Sequence, residues 1–176
     1  MNCNHSIAVR EWLQELPSGM LFFLGCHLID LIYSIQGEPK EIIPLSSSTN
    51  LDGVTANDLG MVVMKYENGV SLAKANDTQL GGFARRSLVV TGSKKTVAIC
   101  PLEIFKEIDL MSSTKTVYES GTWGDRGETT ESTLFDRYDS MMASFASFVR
   151  GDQENSYTYD YELQLYKTIL KCCGLK

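Results

Sequence analysis

Histidine is scarce in this sequence: only His5 and His27 are present. Neither stands in a serine or cysteine motif that would set a nucleophile beside a base. No H-E-x-x-H, G-x-S-x-G or EF-hand loop occurs either. Also missing are the G-x-G-x-x-G turn and the G-x-x-x-x-G-K-[ST] loop that cradle nucleotide phosphates, so no cofactor is expected to bind this chain alone. Positive charge is in deficit, with 16 Lys and Arg against 22 Asp and Glu, which excludes the basic face that nucleic acid requires. Long apolar runs are absent too. The longest, Met20 to Cys26, stops at His27, far short of the ~20 residues of a membrane span. The opening "MNCNHSIAVREWLQEL" has no basic end followed by an apolar block, so no secretory signal is expected. The five cysteines, at 3, 26, 100, 172 and 173, form no C-x-x-C pair. Their odd number and irregular spacing read as free thiols in a reducing cytoplasm, with no metal ligand set.

What is present is ordinary globular material. The 176 residues are 43% hydrophobic and 22% charged, enough for a single domain over 1–176 with a sizeable core. Apolar spacing predicts a short helix over Ser6–Leu16, broken by Pro17-Ser18-Gly19, and a nearly buried helix over Met20–Gln36, stopped by Gly37 and Pro39. Six short β-rich runs follow: "KEIIPL", "LGMVVMKY", "GVSLAKAN", "FARRSLVVTG", "KTVAI" and "KTVYES". Asn68-Gly69 predicts a type I′ hairpin pairing Leu59–Tyr66 with Val70–Asn76, and Thr91–Lys95 a second hairpin turn. Two apolar stripes, Leu134 to Val149 and Tyr161 to Cys173, predict closing helices that contribute to the core. Between strands and helices, "SGTWGDRGETTEST" reads as a loop. The order helices, strands, helices is that of an α+β fold: an open, largely antiparallel sheet with helices packed on one face.

One stretch stands out: "SGMLFFLGCHLIDLIYSIQGEP". At about 100° per residue, Phe23, His27, Asp30 and Ser34 share one face of a helix that is otherwise apolar. Ionisable groups buried without partners cost several kcal/mol. Two explanations stay open: His27 and Asp30 satisfy each other at i,i+3, or the stripe borders a polar cleft in which His27 acts as general acid and base with Asp30 setting its charge or orientation.

The same stretch resembles the second domain of the glucose–fructose oxidoreductase / inositol dehydrogenase (Gfo/Idh/MocA) family, with its Gly-rich start, G-x-H-x-x-D helix and G-x-P stop. "DLGMVVMKYENGVSLAKAN", "LVVTGSKKTVAICPLE", "WGDR" and "RYDSMMASFASFVRGDQENSYTYDYELQLYKTILKCCG" follow in the family's order. The resemblance implies the C-terminal domain of a two-domain dehydrogenase, with the Rossmann domain that binds NAD or NADP absent. It implies hydride transfer at a sugar or cyclitol carbon, with His27 and Asp30 as catalytic residues. It also implies a homo-oligomer through the open sheet face. Phe23 stands where the family carries another acid, four residues before the histidine, and a phenyl ring cannot accept a proton. The lysine of the family's E-K-P motif belongs to the missing domain. Phe23, Trp123 and Arg126 are the candidate substrate-binding residues, with Asp125 beside them.

Two functions follow as expectations. One is a substrate-side domain or fragment of an NAD(P)-dependent oxidoreductase, whose partners are a sugar-like small molecule and the missing Rossmann domain. The other is a non-catalytic assembly or ligand-binding module.

Overall fold

The computed structural model describes residues 1–101, 104–109, 114–119 and 138–175. Trp123, Asp125, Arg126 and Leu134 lie outside the described residues. The chain divides into two compact units, Met1–Arg85 with Tyr157–Lys176, and Arg86–Ser156.

The first unit begins with helix α1 (Ile7–Trp12), which tightens into a 3₁₀ turn over Leu13–Glu15. Ser18 and Gly19 then take positive φ, and the Met20 N–H donates to the Asn57 carbonyl at 2.8 Å. Helix α2 spans Cys26–Gln36 and ends at Gly37, whose φ of 73° a side chain would strain. Strands β1 (Glu41–Pro44), β2 (Leu59–Tyr66) and β3 (Gly69–Asn76) form an antiparallel sheet in the order β1-β2-β3. Helix α4 (Tyr159–Cys172) returns to this unit; Thr158 caps it, accepting from the Tyr161 N–H at 3.2 Å. The second unit holds a four-stranded antiparallel sheet of β4 (Leu88–Thr91), β5 (Lys95–Ile99), β6 (Ile104–Asp109) and β7 (Thr114–Glu119), and helix α3 (Asp139–Arg150).

Alternation in β2 and β3 positions the core. Gly60, Val62 and Met64 point inward with Ala73 and Ala75, while Val70, Leu72 and Lys74 are exposed. Leu28, Ile29 and Ile32 of α2 bury against that inner face with Leu21 and Cys172. A second cluster joins Cys3, Leu13, Met20, Val54, Ala56 and Ala75. Burying the Leu, Ile, Val and Met side chains among them contributes about 1.5–3 kcal/mol each.

The α+β class and the antiparallel pairing hold, with the strands shared between two sheets. Four details differ from the sequence reading. The Met20–Gln36 helix is not uniform, because Leu21–Gly25 is a π turn ahead of α2. The Tyr66–Gly69 hairpin forms, but Glu67 and Asn68 close it and neither has positive φ, so the turn is not type I′. Strand β6 was not anticipated; Lys106, Glu107 and Asp109 dilute its apolar pattern, and pairing with β5 and β7 organises it. The α3 stripe is not core: Met141, Met142, Phe145 and Val149 are all exposed. Amphipathic spacing marks a face able to be covered, without specifying by what.

Candidate functional site

Two close approaches set the start of α2 on the sheet. A Cβ at Gly60 would lie 2.6 Å from Leu21 Cβ and 3.1 Å from the Leu21 backbone. At Gly25 a Cβ would meet Leu21 Cδ1 at 2.7 Å. Only glycine lets β2 and the π turn come this near. π turns are rare and recur at functional sites. This one also breaks the 100° count, so the phase relating Phe23 to His27 is not that of a regular helix.

Beyond the π turn, α2 presents three kinds of side chain. Leu28, Ile29 and Ile32 face the core. His27, Leu31, Ser34 and Ile35 are exposed. Asp30, Cys26 and Tyr33 are half-buried on the flank toward α4. His27 is therefore not sealed in apolar packing, and no hydrogen bond or ion pair joins it to Asp30 among the described residues. Phe23 is half-buried, its ring edge-on to Trp12 at 5.4 Å between centroids and tilted against His5 at 6.0 Å.

Asp30 has a distinct neighbourhood. Tyr161 of α4 meets the Tyr33 ring edge-on at 5.6 Å and that of Tyr157 at 5.7 Å. Its hydroxyl is enclosed without a hydrogen-bond partner. Loss of solvent raises the Tyr161 pKa, and the Asp30 carboxylate adds to the rise. Burial also lifts the Cys26 thiol, against the opposing backbone hydrogen bond at His27 and with help from Asp30. Burial pushes Cys173 up to about 11 and Cys172 up to about 12. These three thiols are protonated at neutral pH and are poor nucleophiles. No disulfide joins any of the five cysteines.

Of the residues singled out in the sequence, Phe23 stands in the π turn, and His27 and Asp30 stand in the first half of α2, on its exposed face and its half-buried flank respectively. Trp123 and Arg126 lie outside the described residues. Sequence reasoning did not join Tyr161 to Asp30, which are 131 positions apart (161 − 30). It also missed a cluster of Cys3, His5 and Asp77, whose ligand atoms lie within 4.8 Å of one another. The only local hint of that cluster was the Cys-x-His spacing at 3–5.

A family model described as the GFO/IDH/MocA C-terminal domain matches residues 4–98. Among curated proteins, none matches this chain. Among solved structures, the chain is similar to an NAD binding oxidoreductase from Klebsiella pneumoniae, with a TM-score of 0.67 at 13% identity, covering 98% of this chain and 54% of that one. It is also similar to an oxidoreductase from Agrobacterium radiobacter, solved in complex with NAD+, L-tartaric acid and magnesium. There the TM-score is 0.59 at 12% identity, covering 86% of this chain and 46% of that one. The chain spans about half the length of the solved proteins it matches. At such identities the likeness is one of fold. No helix among the described residues is long and apolar enough to cross a membrane.

Proposed function

Because the chain belongs to the GFO/IDH/MocA C-terminal domain family, we propose that it is the substrate-side domain of an NAD(P)-dependent oxidoreductase acting on a sugar or cyclitol. His27 exchanges the hydroxyl proton of the substrate as hydride passes to or from nicotinamide, with Asp30, on the adjoining flank of α2, as the second catalytic candidate. The nicotinamide that would accept or donate this hydride is expected on a separate dinucleotide-binding domain. One observation carries this reading: the exposed face of α2 places His27 beside apolar Leu31 and Ile35, directly after the π turn. An uncovered imidazole on a face that is otherwise partly apolar suits a surface completed by a second domain.

Phe23 modifies the chemistry. Packed against Trp12 and His5, it forms an apolar wall where the family has an acid, so the proton path depends on His27 and on the partner domain. Trp123 and Arg126 remain candidates for holding substrate hydroxyls.

The test is reconstitution. The isolated chain is expected to show no micromolar NADH binding by calorimetry, and adding a matching nucleotide-binding domain should restore binding and turnover. In the reconstituted protein His27→Ala should lower kcat by about 10²–10⁴-fold. Micromolar NADH binding to the chain alone, or full activity in His27→Ala, would defeat the reading.

A second reading, an assembly module, draws on the outer sheet face. Val70 and Leu72 are 65% and 60% exposed there. A second copy seated on that face would form a homo-oligomer interface of about 1,000 Å² or more. Light scattering should then show a dimer that Leu72→Lys splits; a monomer at high micromolar concentration would sink it.

A further inference from the structure

The Cys3–His5–Asp77 cluster takes no part in the proposed proton transfer and adjoins that site through Phe23, whose ring packs against His5. Asp77 is fully buried at the end of β3. Its Oδ1 accepts from the His5 backbone N–H at 3.0 Å and from the Cys3 thiol at 3.2 Å, and lies 2.6 Å from His5 Nδ1. The Cys3 sulfur is 3.6 Å from the same Nδ1 and donates weakly to the Asn76 carbonyl at 3.6 Å. The other carboxylate oxygen, Oδ2, is buried and has no partner.

This geometry discriminates between chemistries. In a Cys–His–Asp catalytic triad, sulfur and carboxylate contact opposite nitrogens of the imidazole. Here both contact Nδ1, so no relay through the ring exists. Three ligand-type atoms instead converge on one point, while a buried carboxylate oxygen is left unsatisfied, at a cost that a native site offsets by some further partner.

We propose that Cys3 Sγ, His5 Nδ1 and the Asp77 carboxylate form a three-ligand site for a borderline-soft transition-metal dication, zinc by preference, with a fourth position open to solvent. Thiolate, imidazole and carboxylate together suit zinc better than magnesium or calcium. A tetrahedral zinc site with ordinary bond lengths needs ligand-to-ligand edges of about 3.4–3.6 Å. The sulfur–nitrogen edge already has that length. The sulfur–oxygen and nitrogen–oxygen edges must open by about 0.4 and 0.8 Å to reach tetrahedral spacing, and a small rotation presenting Oδ2 would supply such a change. As the dication enters, the thiol proton leaves to solvent, and the Nδ1 proton leaves or passes to Nε2. The His5 side chain is 29% exposed, which gives the ion a path inward.

The ligands are held before any ion arrives. Cys3 N–H donates to the Asn76 carbonyl and its own carbonyl accepts from Gln79, both at 2.9 Å. Bridges Asn2↔Asn76 and Asn4↔Thr78 flank the pair on either side. Gly82 packs so closely that a Cβ there would meet the Cys3 nitrogen at 2.7 Å. Phe23 braces the imidazole from outside. Preorganisation of this kind is what a metal site needs from its scaffold.

The test is Co²⁺ titration of the full chain, followed by zinc competition. One equivalent should bind with a thiolate-to-cobalt absorption band that zinc displaces. Cys3→Ser should abolish the band, Asp77→Asn should weaken binding by at least about 100-fold, and Cys26→Ser should leave both unchanged. Absence of stoichiometric binding, or a band surviving in Cys3→Ser, overturns the proposal. Should the variants fail to fold, X-ray absorption on zinc-loaded wild-type chain decides: one sulfur neighbour with nitrogen and oxygen supports the site, while none, or two or more, overturns it.

Discussion

Gly60→Ala tests the packing that aims α2. The added methyl would sit 2.6 Å from Leu21 Cβ and 3.1 Å from Leu21 Cα and N. Two of those atoms are backbone of the π turn, so relief requires moving the turn or bending β2. Overpacking of well-packed interiors costs about 1–3 kcal/mol, and a backbone clash belongs in the upper half, about 2–3. The control is Gly25→Ala, whose nearest neighbour is the terminal methyl of Leu21, at 2.7 Å, able to change rotamer. Alanine also gains up to about 1 kcal/mol over glycine in a helix, so Gly25→Ala should stay within about 1 kcal/mol of wild type. In urea melts, with a slope near 2 kcal/mol/M, Gly60→Ala should lower the midpoint by roughly 1 M, and Gly25→Ala by less than half of that. Equal shifts for the two variants, or no shift for Gly60→Ala, would refute the account of why β2 and the π turn touch. In reconstituted protein, Gly60→Ala should also reduce turnover, because His27 follows the π turn directly.

Ile29→Ala removes a fully buried side chain of α2 and should cost about 2–5 kcal/mol in the same melts. Thr158→Ala deletes the cap of α4 and should cost about 1 kcal/mol, seen as a lower thermal midpoint. The raised thiols predict alkaline weakening. Cys172 and Cys173 have folded pKa values of about 12 and 11 against a usual 9.0, so above pH 9 the unfolded chain releases protons that the folded chain keeps. Stability from these thiols is fully present below pH 9 and falls by up to about 1.4 kcal/mol per pH unit for each as pH rises toward those values. Denaturant melts at pH 8 and pH 10.5 check the sign, and a Cys172→Ala variant with unchanged alkaline sensitivity would contradict it. Phe23→Ala should lose about 1–3 kcal/mol through its Trp12 and His5 contacts, measurable against His27→Ala, which should be nearly neutral for stability because His27 is exposed.

Local pattern determined most of the architecture. The apolar period of 3.6 marked α2 and α4, and the β-rich runs marked β2 and β3 as a hairpin, while which face of β3 turned inward, Ala73 and Ala75 in place of Leu72 and Lys74, came from packing. The G-x-H-x-x-D helix carried the family. These features live in neighbouring residues, so a linear reading finds them. What it could not determine depends on groups brought together from far along the chain. The π turn lies where Leu21 rests on Gly60, and its smaller rotation per residue changes the phase of Phe23 from the one a regular helix predicts. The hairpin turn closed on Glu67 and Asn68 because the β2–β3 register, set by side chains choosing the inner face, decides which residues lie between the strands. Tyr161 reached Asp30, and Asp77 reached Cys3 and His5, only after α4 and the first residues docked on the sheet. Burial, pKa and ligand geometry are properties of those distant encounters, so tertiary structure alone decided them.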